Sequence, residues 1–316
     1  MGKQNNVMLD YLRDNRRFAD LFNGGLFAGE QVISSSDLVD ASENYTEFRE
    51  DITKSSSTPR TRDVKKYLRS GTELRVLAIE DQSYVDLTMP WRCMNYDALE
   101  YGRQMHEIQA QNKELKHFNS DSEKLSRFQK SDRLSPVYTV CLYHGSDPWD
   151  GPRSLKEMMQ FGNDPEATFW KNQFMDYGMR LICVNELEDT SAFTTELKEL
   201  FAIMAYQKDK PGMRQFLEKH KEYEQLDEET ARVIGSVMGV DTFMMNKNRY
   251  EKEGEYNMCQ AIREMCEDNW NEGVEAGTLN AIKNLMETLT FTASQAMDAL
   301  KIPAEEREKY MQMLNS

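Results

Sequence analysis

The spacing of hydrophobic positions changes character twice along this chain. From residue 5 to 23 it is helical: Met8, Leu9, Leu12, Phe18, Leu21 and Phe22 fall on one face, and Asn23-Gly24-Gly25 reads as a stop. VISSSDLVDASENY reads as loop with a short extended piece, and the polar run between Glu43 and Pro59 predicts a mobile loop. The pattern then becomes that of strands. Thr61–Leu68 and Glu73–Gln82 flank the turn residues Ser70-Gly71-Thr72, which predicts a β-hairpin whose second strand has the buried centre LRVLAIE. Met89-Pro90 places proline at a helix start, and that helix is expected to run from about Pro90 to about Lys116. Its apolar stripe of Trp91, Met94, Tyr96, Ala98, Tyr101, Met105 and Ile108 is expected to pack on the sheet. Residues 117–134 read as loop, Pro136–Gly145 and Met179–Asp189 as strands, and Trp149–Pro152 as a turn. Thr194–Tyr206 reads as an amphipathic helix capped by Thr194 or Thr195.

The order helix, hairpin, helix, strand, strand, helix predicts an α/β core, with a mixed sheet flanked by helices on both faces. From Pro211 the spacing is wholly helical. Pro211–Tyr223 and Asp227–Met238 are short helices, and Glu255 to about Thr290 is one long helix. Its stripe is Ile262, Cys266, Trp270, Val274, Ile282, Leu285 and Leu289, interrupted by Gly273 and Gly277. Ala293–Leu300 and Pro303–Leu314 close the chain as a helical pair. The expected division is an α/β domain over 1–207 and an all-helical region over 208–316, the latter suited to oligomerisation or an accessory role.

Composition narrows the class. With 316 residues, 39% hydrophobic and 29% charged, the chain reads as soluble and globular. No apolar run approaches the length of a membrane span, and MGKQNNVMLDYLRDNRR has no apolar signal-peptide core. Position 6 is Asn, so the myristoylation motif that Gly2 invites fails. Five scattered cysteines without a CxxC pair predict reduced thiols in a cytoplasmic protein, and four histidines disfavour a His-based metal centre. The net charge of −15 is spread along the chain: 25 basic and 33 acidic residues precede Lys208, and 14 and 21 follow from it. Such acidity opposes constitutive, tight DNA binding, so any DNA contact must come from local basic clusters. Two exist: Arg13, Arg16 and Arg17, and Arg60, Arg62, Lys65, Lys66 and Arg69 on the hairpin. A solvated face explains either cluster, but the second flanks carboxylates. The acidic terminal pair (Asp298, Glu305, Glu306, Glu308) argues against a helix-turn-helix there.

The candidate chemistry sits on the hairpin. Side chains alternate along a strand, so Glu80 and Gln82 project from one face and Asp81 from the other. Asp63 reaches the Glu80 face if the hairpin pairs symmetrically about Gly71. Asp63 and Glu80 are then candidate ligands for a hard divalent ion, with the Asp81 carbonyl as a third, and Gln82 is placed to orient an attacking water or a phosphate oxygen. One Asp and one Glu on a hairpin are more often plain surface residues than a metal site.

The set D-x(16)-E-x-Q-S after a basic strand, then Met89-Pro90-x-Arg92 and Tyr96, resembles the PD-(D/E)XK nuclease superfamily. More narrowly it is similar to the Rpn family of recombination-promoting nucleases, also described as putative transposases. The remaining matching pieces are FADLFN (18–23), RDV (62–64), IEDQS (79–83) and VYTVCLYHG followed by Trp149, which span about residues 10–190. The resemblance implies a restriction-endonuclease-like fold. It also implies a magnesium- or manganese-dependent DNA endonuclease associated with recombination or mobile DNA. Asp63 and Glu80 match the metal ligands, and Gln82 stands at the lysine position, where a neutral amide positions water but brings no cation. The superfamily's frequent first-helix acid implies Asp20, in competition with Asp10 and Asp14. In the implied mechanism Arg62, Lys65 or Lys66 grips the DNA backbone, and sequence specificity is low. The competing expectation is a catalytically weak or inactive nuclease-fold module for binding, self-associating as a homodimer through its C-terminal helices.

Overall fold

The computed structural model describes residues 3–41, 62–70 and 73–315. The loop expected between Glu43 and Pro59, and Gly71 and Thr72 of the hairpin turn, lie outside the described residues. The chain divides into two compact units, Met1–Phe216 with Asp227–Gly239, and Leu217–Leu226 with Val240–Ser316. This departs from the expected division at residue 207, because a helix beyond it belongs to the first unit.

In that unit, the single helix expected over 5–23 is two, α1 (Lys3–Leu12) and α2 (Asn15–Phe27). The break is chemical: Asp14 caps α2 by accepting from the Arg16 and Arg17 N–H groups. Nor do Gly24 and Gly25 stop the helix. They lie inside α2 at a close approach, where a Cβ on Gly24 would sit 2.4 Å from the Phe193 ring and one on Gly25 would sit 2.2 Å from Ile182 Cδ1. The helix ends instead at Ala28 and Gly29, both left-handed, with φ of 53° and 91°.

The sheet follows. Strands β1 (Leu38–Asp40), β2 (Val64–Ser70) and β3 (Glu73–Gln82) pair antiparallel in sequence order. Helix α3 (Met89–Leu115) and the short α4 (Asp121–Ser126) then lead to β4 (Val137–Tyr143), which lies parallel to β3. After the seven-residue helix α5 (Ala167–Gln173), β5 (Arg180–Cys183) adds parallel to β4. The result is a five-stranded mixed sheet ordered β1-β2-β3-β4-β5. Its central strand β3 is buried on both faces from Val76 to Asp81, as a strand covered by helices must be. Adjacent lysines on β2 mark the two layers: Lys65 pairs with Glu100 of α3, whereas Lys66 lies 5.6 Å from the Phe18 ring of α2.

Helix α3 is phased differently from the expected stripe. Trp91 and Ala98 are exposed, and the buried face carries Cys93, Tyr96, Asp97, Glu100 and Gln104. A polar helix face therefore covers this side of the sheet, with apolar packing concentrated in Met89, Cys93, Cys141, Tyr143, Trp149 and Cys183. Helices α6 (Leu197–Met204), α7 (Lys210–Lys219) and α8 (Glu228–Val237) come next. The last is the helix retained by the first unit: Tyr11 and Thr230 share a 2.8 Å hydrogen bond, and Arg17 Nη1 lies 2.5 Å from Glu229.

The second unit contains α9 (Asp241–Met245), a two-stranded hairpin of β6 (Glu251–Lys252) and β7 (Glu255–Tyr256), the 32-residue α10 (Met258–Leu289), α11 (Ala293–Ala299) and α12 (Ala304–Asn315). The small hairpin corrects the expectation of an all-helical region. The stripe on α10 is buried at Ile262 and Ile282, but Trp270 and Val274 between them are exposed. No helix among the described residues is long and apolar enough to cross a membrane.

The close approach at α2 is testable. Phe193 is buried and stacked edge-on against Phe201 at 5.0 Å, so its ring has little room to yield to a new methyl group. Gly24→Ala is expected to lower stability by roughly 1–3 kcal/mol in urea denaturation, and pairing it with Phe193→Leu should recover part of the loss.

Candidate metal centre

The hairpin register extends the Val64–Ile79 pair by one step and so places Asp63 beside Glu80. The Asp63 carboxylate faces the sheet interior and accepts the Asp81 N–H at 2.8 Å. Glu80 is sealed from solvent, and neither of its carboxylate oxygens has a hydrogen-bond partner among the described residues. The Arg92 guanidinium stands by it, with Nη2 3.7 Å from Oε2. Burial first, and then the charge of Asp63, push the Glu80 carboxyl up to about 8, against the pull of Arg62 and Arg92. The contrast with Glu100 on α3 is instructive. Burial also raises Glu100, but hydrogen bonds from Arg103 and the charge of Lys65 outweigh it and hold that carboxyl at about 2. One buried glutamate is fully compensated, and the other lacks a matching set of donors.

Asp81 projects from the opposite face, as strand alternation requires. Its side chain is buried 3.1 Å from Nε2 of His144. Gln82 ends β3 on the Glu80 side, partly exposed, and its carbonyl accepts the His144 N–H at 3.0 Å.

The structure redirects three expected phosphate contacts. Arg62, Lys65 and Lys66 are all buried. Arg62 donates to Thr139 Oγ1 at 2.5 Å and to Asp97 at 2.7 Å, and Asp97 also accepts from Thr139 and from the Tyr177 hydroxyl. Lys65 is 3.2 Å from Glu100, and Lys66 is 2.5 Å from Asp40. Pulling any of these cations out to a phosphate would strand a partner, at about 3–5 kcal/mol where that partner is itself buried. They serve as internal counter-ions, and their hydrophilic spacing in the sequence concealed the acids of α3 and β1 that meet them.

Asp20 is also otherwise engaged. Its Oδ1 accepts from the Thr194 N–H and hydroxyl, both at 2.9 Å, and its Oδ2 accepts from Thr195 N–H at 2.8 Å and hydroxyl at 2.6 Å. It fastens α2 to the turn before α6, where the Thr195 hydroxyl in turn accepts the Leu197 N–H at 3.4 Å, in line with the threonine cap expected there. Both oxygens are saturated, so Asp20 is a structural residue and not a cation ligand. Asp14 caps α2, and Asp10 is exposed on α1.

The residue that sequence reasoning passed over is Arg92. Its signal was present in Met89-Pro90-x-Arg92: a helix started by Pro90 puts Arg92 in its first turn, pointing back to the end of β3. Asp86 fixes it there, accepting from Nη1 at 2.7 Å.

The donor set suits a hard ion that keeps most of its water. Among the described residues no group of three or more His, Cys, Asp or Glu side chains is placed to hold a metal, which disfavours an all-protein cage. Two carboxylates, one of them unsatisfied and buried, fit Mg²⁺ or Mn²⁺, which take one or two protein carboxylates and complete their shell with water and substrate oxygens. No protein family, no curated protein and no solved structure matches this chain. The nuclease resemblance thus stands on the sequence motifs themselves.

The unsatisfied carboxyl has a stability signature. Between its ordinary 4.5 and about 8 the folded protein holds a proton on Glu80 that the unfolded chain has released, so the contribution of Glu80 to stability falls as pH rises through that window. Glu80→Gln is expected to match wild type at pH 4.5 in chelator. At pH 8.5 it is expected to be more stable by on the order of 3 kcal/mol, read from paired urea melts.

Proposed function

We propose that this chain is a metal-dependent DNA endonuclease of the PD-(D/E)XK type, related in function to the recombination-promoting nucleases. The observation that carries the reading is the buried Asp63–Glu80 pair, in register on adjacent strands, with the Glu80 oxygens unsatisfied. A mixed sheet that delivers the pair from its central strands supports the same reading.

Asp63 and Glu80 would hold the ion, with the Asp81 carbonyl as a further oxygen. A divalent ion there would supply charge neutralisation at the phosphate and a bound water more acidic than bulk water. Asp63 does two jobs: its carboxylate fixes the Asp81 peptide, and so the path of β3, while remaining adjacent to Glu80. Gln82, two residues on and on the same face, orients the attacking water through its amide. Recognition of DNA is expected to be weakly sequence-specific, because base reading requires clustered polar side chains on an element that enters a groove.

A second reading has its own observation. The Arg92 guanidinium lies 3.7 Å from Glu80 and lends it partial charge compensation from within the chain. With the neutral Gln82 beside it, this favours a catalytically weak binding module on the same scaffold.

Cleavage separates the two. Wild-type protein should nick supercoiled plasmid with magnesium and not in chelator. Asp63→Ala and Glu80→Ala should each lose at least about 100-fold while keeping the circular dichroism of the fold. Full activity in Asp63→Ala would overturn the assignment, and absence of cleavage together with absence of magnesium binding at millimolar concentration would favour the inactive scaffold.

A further inference from the structure

We infer that Arg92 is a catalytic residue of this centre, supplying at the scissile phosphate the positive charge that Gln82 does not carry; the inference rests on the nuclease reading above. Two geometric facts point to it. Arg92 is anchored through Nη1 on Asp86, which is itself fixed by the Thr88 N–H at 2.8 Å and hydroxyl at 2.6 Å, with the Tyr96 hydroxyl as a further hydrogen-bond partner. Its other arm, Nη2, reaches over Glu80 at 3.7 Å, beyond a good hydrogen bond, and the side chain keeps 25% of its surface exposed. Arg62, the other guanidinium acting on Glu80, is wholly buried and committed to Asp97 and Thr139.

Charge counting gives the role. Asp63 and Glu80 carry two negative charges when ionised, and a divalent ion cancels them. The phosphodiester brings one more negative charge, which nothing at Gln82 offsets. A cation seated between the carboxylates would also repel the guanidinium from Glu80. Arg92, still anchored on Asp86, is then free to turn Nη2 toward a non-bridging phosphate oxygen. The planar guanidinium suits such an oxygen better than a point charge does. In hydrolysis the water oxygen forms the new P–O bond and its proton passes to solvent. The leaving oxygen departs with the bonding electron pair and takes a proton from solvent. Arg92 transfers no proton and stabilises the charge that develops on phosphorus oxygens. It also uncovers Glu80 as the site fills, which a fully buried ligand needs.

The test uses the full chain, plasmid cleavage with magnesium and calorimetric titration of magnesium alone. Arg92→Ala and Arg92→Gln should lower kcat about 100- to 1000-fold with little change in KM. Arg92→Lys should recover part of the activity, and millimolar guanidinium should partly rescue Arg92→Ala but not Glu80→Ala. Magnesium affinity should be equal to or tighter than wild type in Arg92→Ala, since a repelling charge has been removed. Thermal melts identify a misfolded variant, in which case the glutamine and lysine variants carry the result. Full activity in Arg92→Ala beside a dead Glu80→Ala overturns the role of Arg92 and leaves the nuclease reading intact. Magnesium binding in Arg92→Ala but not in wild type also overturns it, since Arg92 would then be replacing the ion. Absence of metal-dependent cleavage by wild type overturns both.

Discussion

A carboxyl sealed from water beside a second carboxylate can be ionised only if a positive charge comes to it, and Glu80 is in that position. The constraint explains much of what surrounds it. The other buried charged groups on this side of the sheet have well-made partners: Arg62 has Asp97 and Thr139, and Lys65 has Glu100. These pairs bring α3 onto the sheet through a polar face, where apolar packing alone would have done so at lower desolvation cost. Asp63 fixes the Asp81 peptide, and its charge adds to burial, the larger cause, in pushing the Glu80 carboxyl up. The fold thus maintains a site that is electrostatically unfinished, beside neighbours that are complete.

Arg92 partly answers that deficit. At 3.7 Å and one-quarter exposed, it is near enough to lower the cost of ionising Glu80 and too loosely seated to abolish it. On the proposed nuclease reading, proton, guanidinium and divalent cation would compete for one carboxylate. This competition links the two functional readings physically: a stronger guanidinium contact gives a binding module, and a stronger ion gives a nuclease. Gln82 sharpens the contest, because no lysine at that place shares the work.

The sheet was legible in the sequence because strands repeat every two residues. Strand alternation alone turns Glu80 and Asp81 to opposite faces; pairing about Gly71 would set Asp63 opposite Ile79, and the observed register, with Ser70 opposite Glu73, is shifted by one residue and brings Asp63 beside Glu80. Residues whose meaning depends on a distant partner were not legible. Lys65 and Lys66 look like a solvated basic cluster until α3 and β1 are in place. Asp20 has the helical position of a site acid, yet its partners Thr194 and Thr195 lie more than 170 residues away. Gly24-Gly25 reads locally as a stop because its packing against Phe193 and Ile182 is equally remote. The stripe on α3 was misread because its buried face is polar, a case that hydrophobic spacing cannot detect. The small β6–β7 hairpin is too short to leave a period of its own.

The central claim is that Asp63 and Glu80 form a cation site whose empty state is protonated, and proton release tests it most directly. Manganese is titrated into the chain at pH 7 in buffers of different ionisation enthalpy, beside Glu80→Gln. The account predicts release of about one proton per ion bound by wild type, and weak binding without release by Glu80→Gln. Tight binding with no proton released, or identical behaviour of the two proteins, would contradict it.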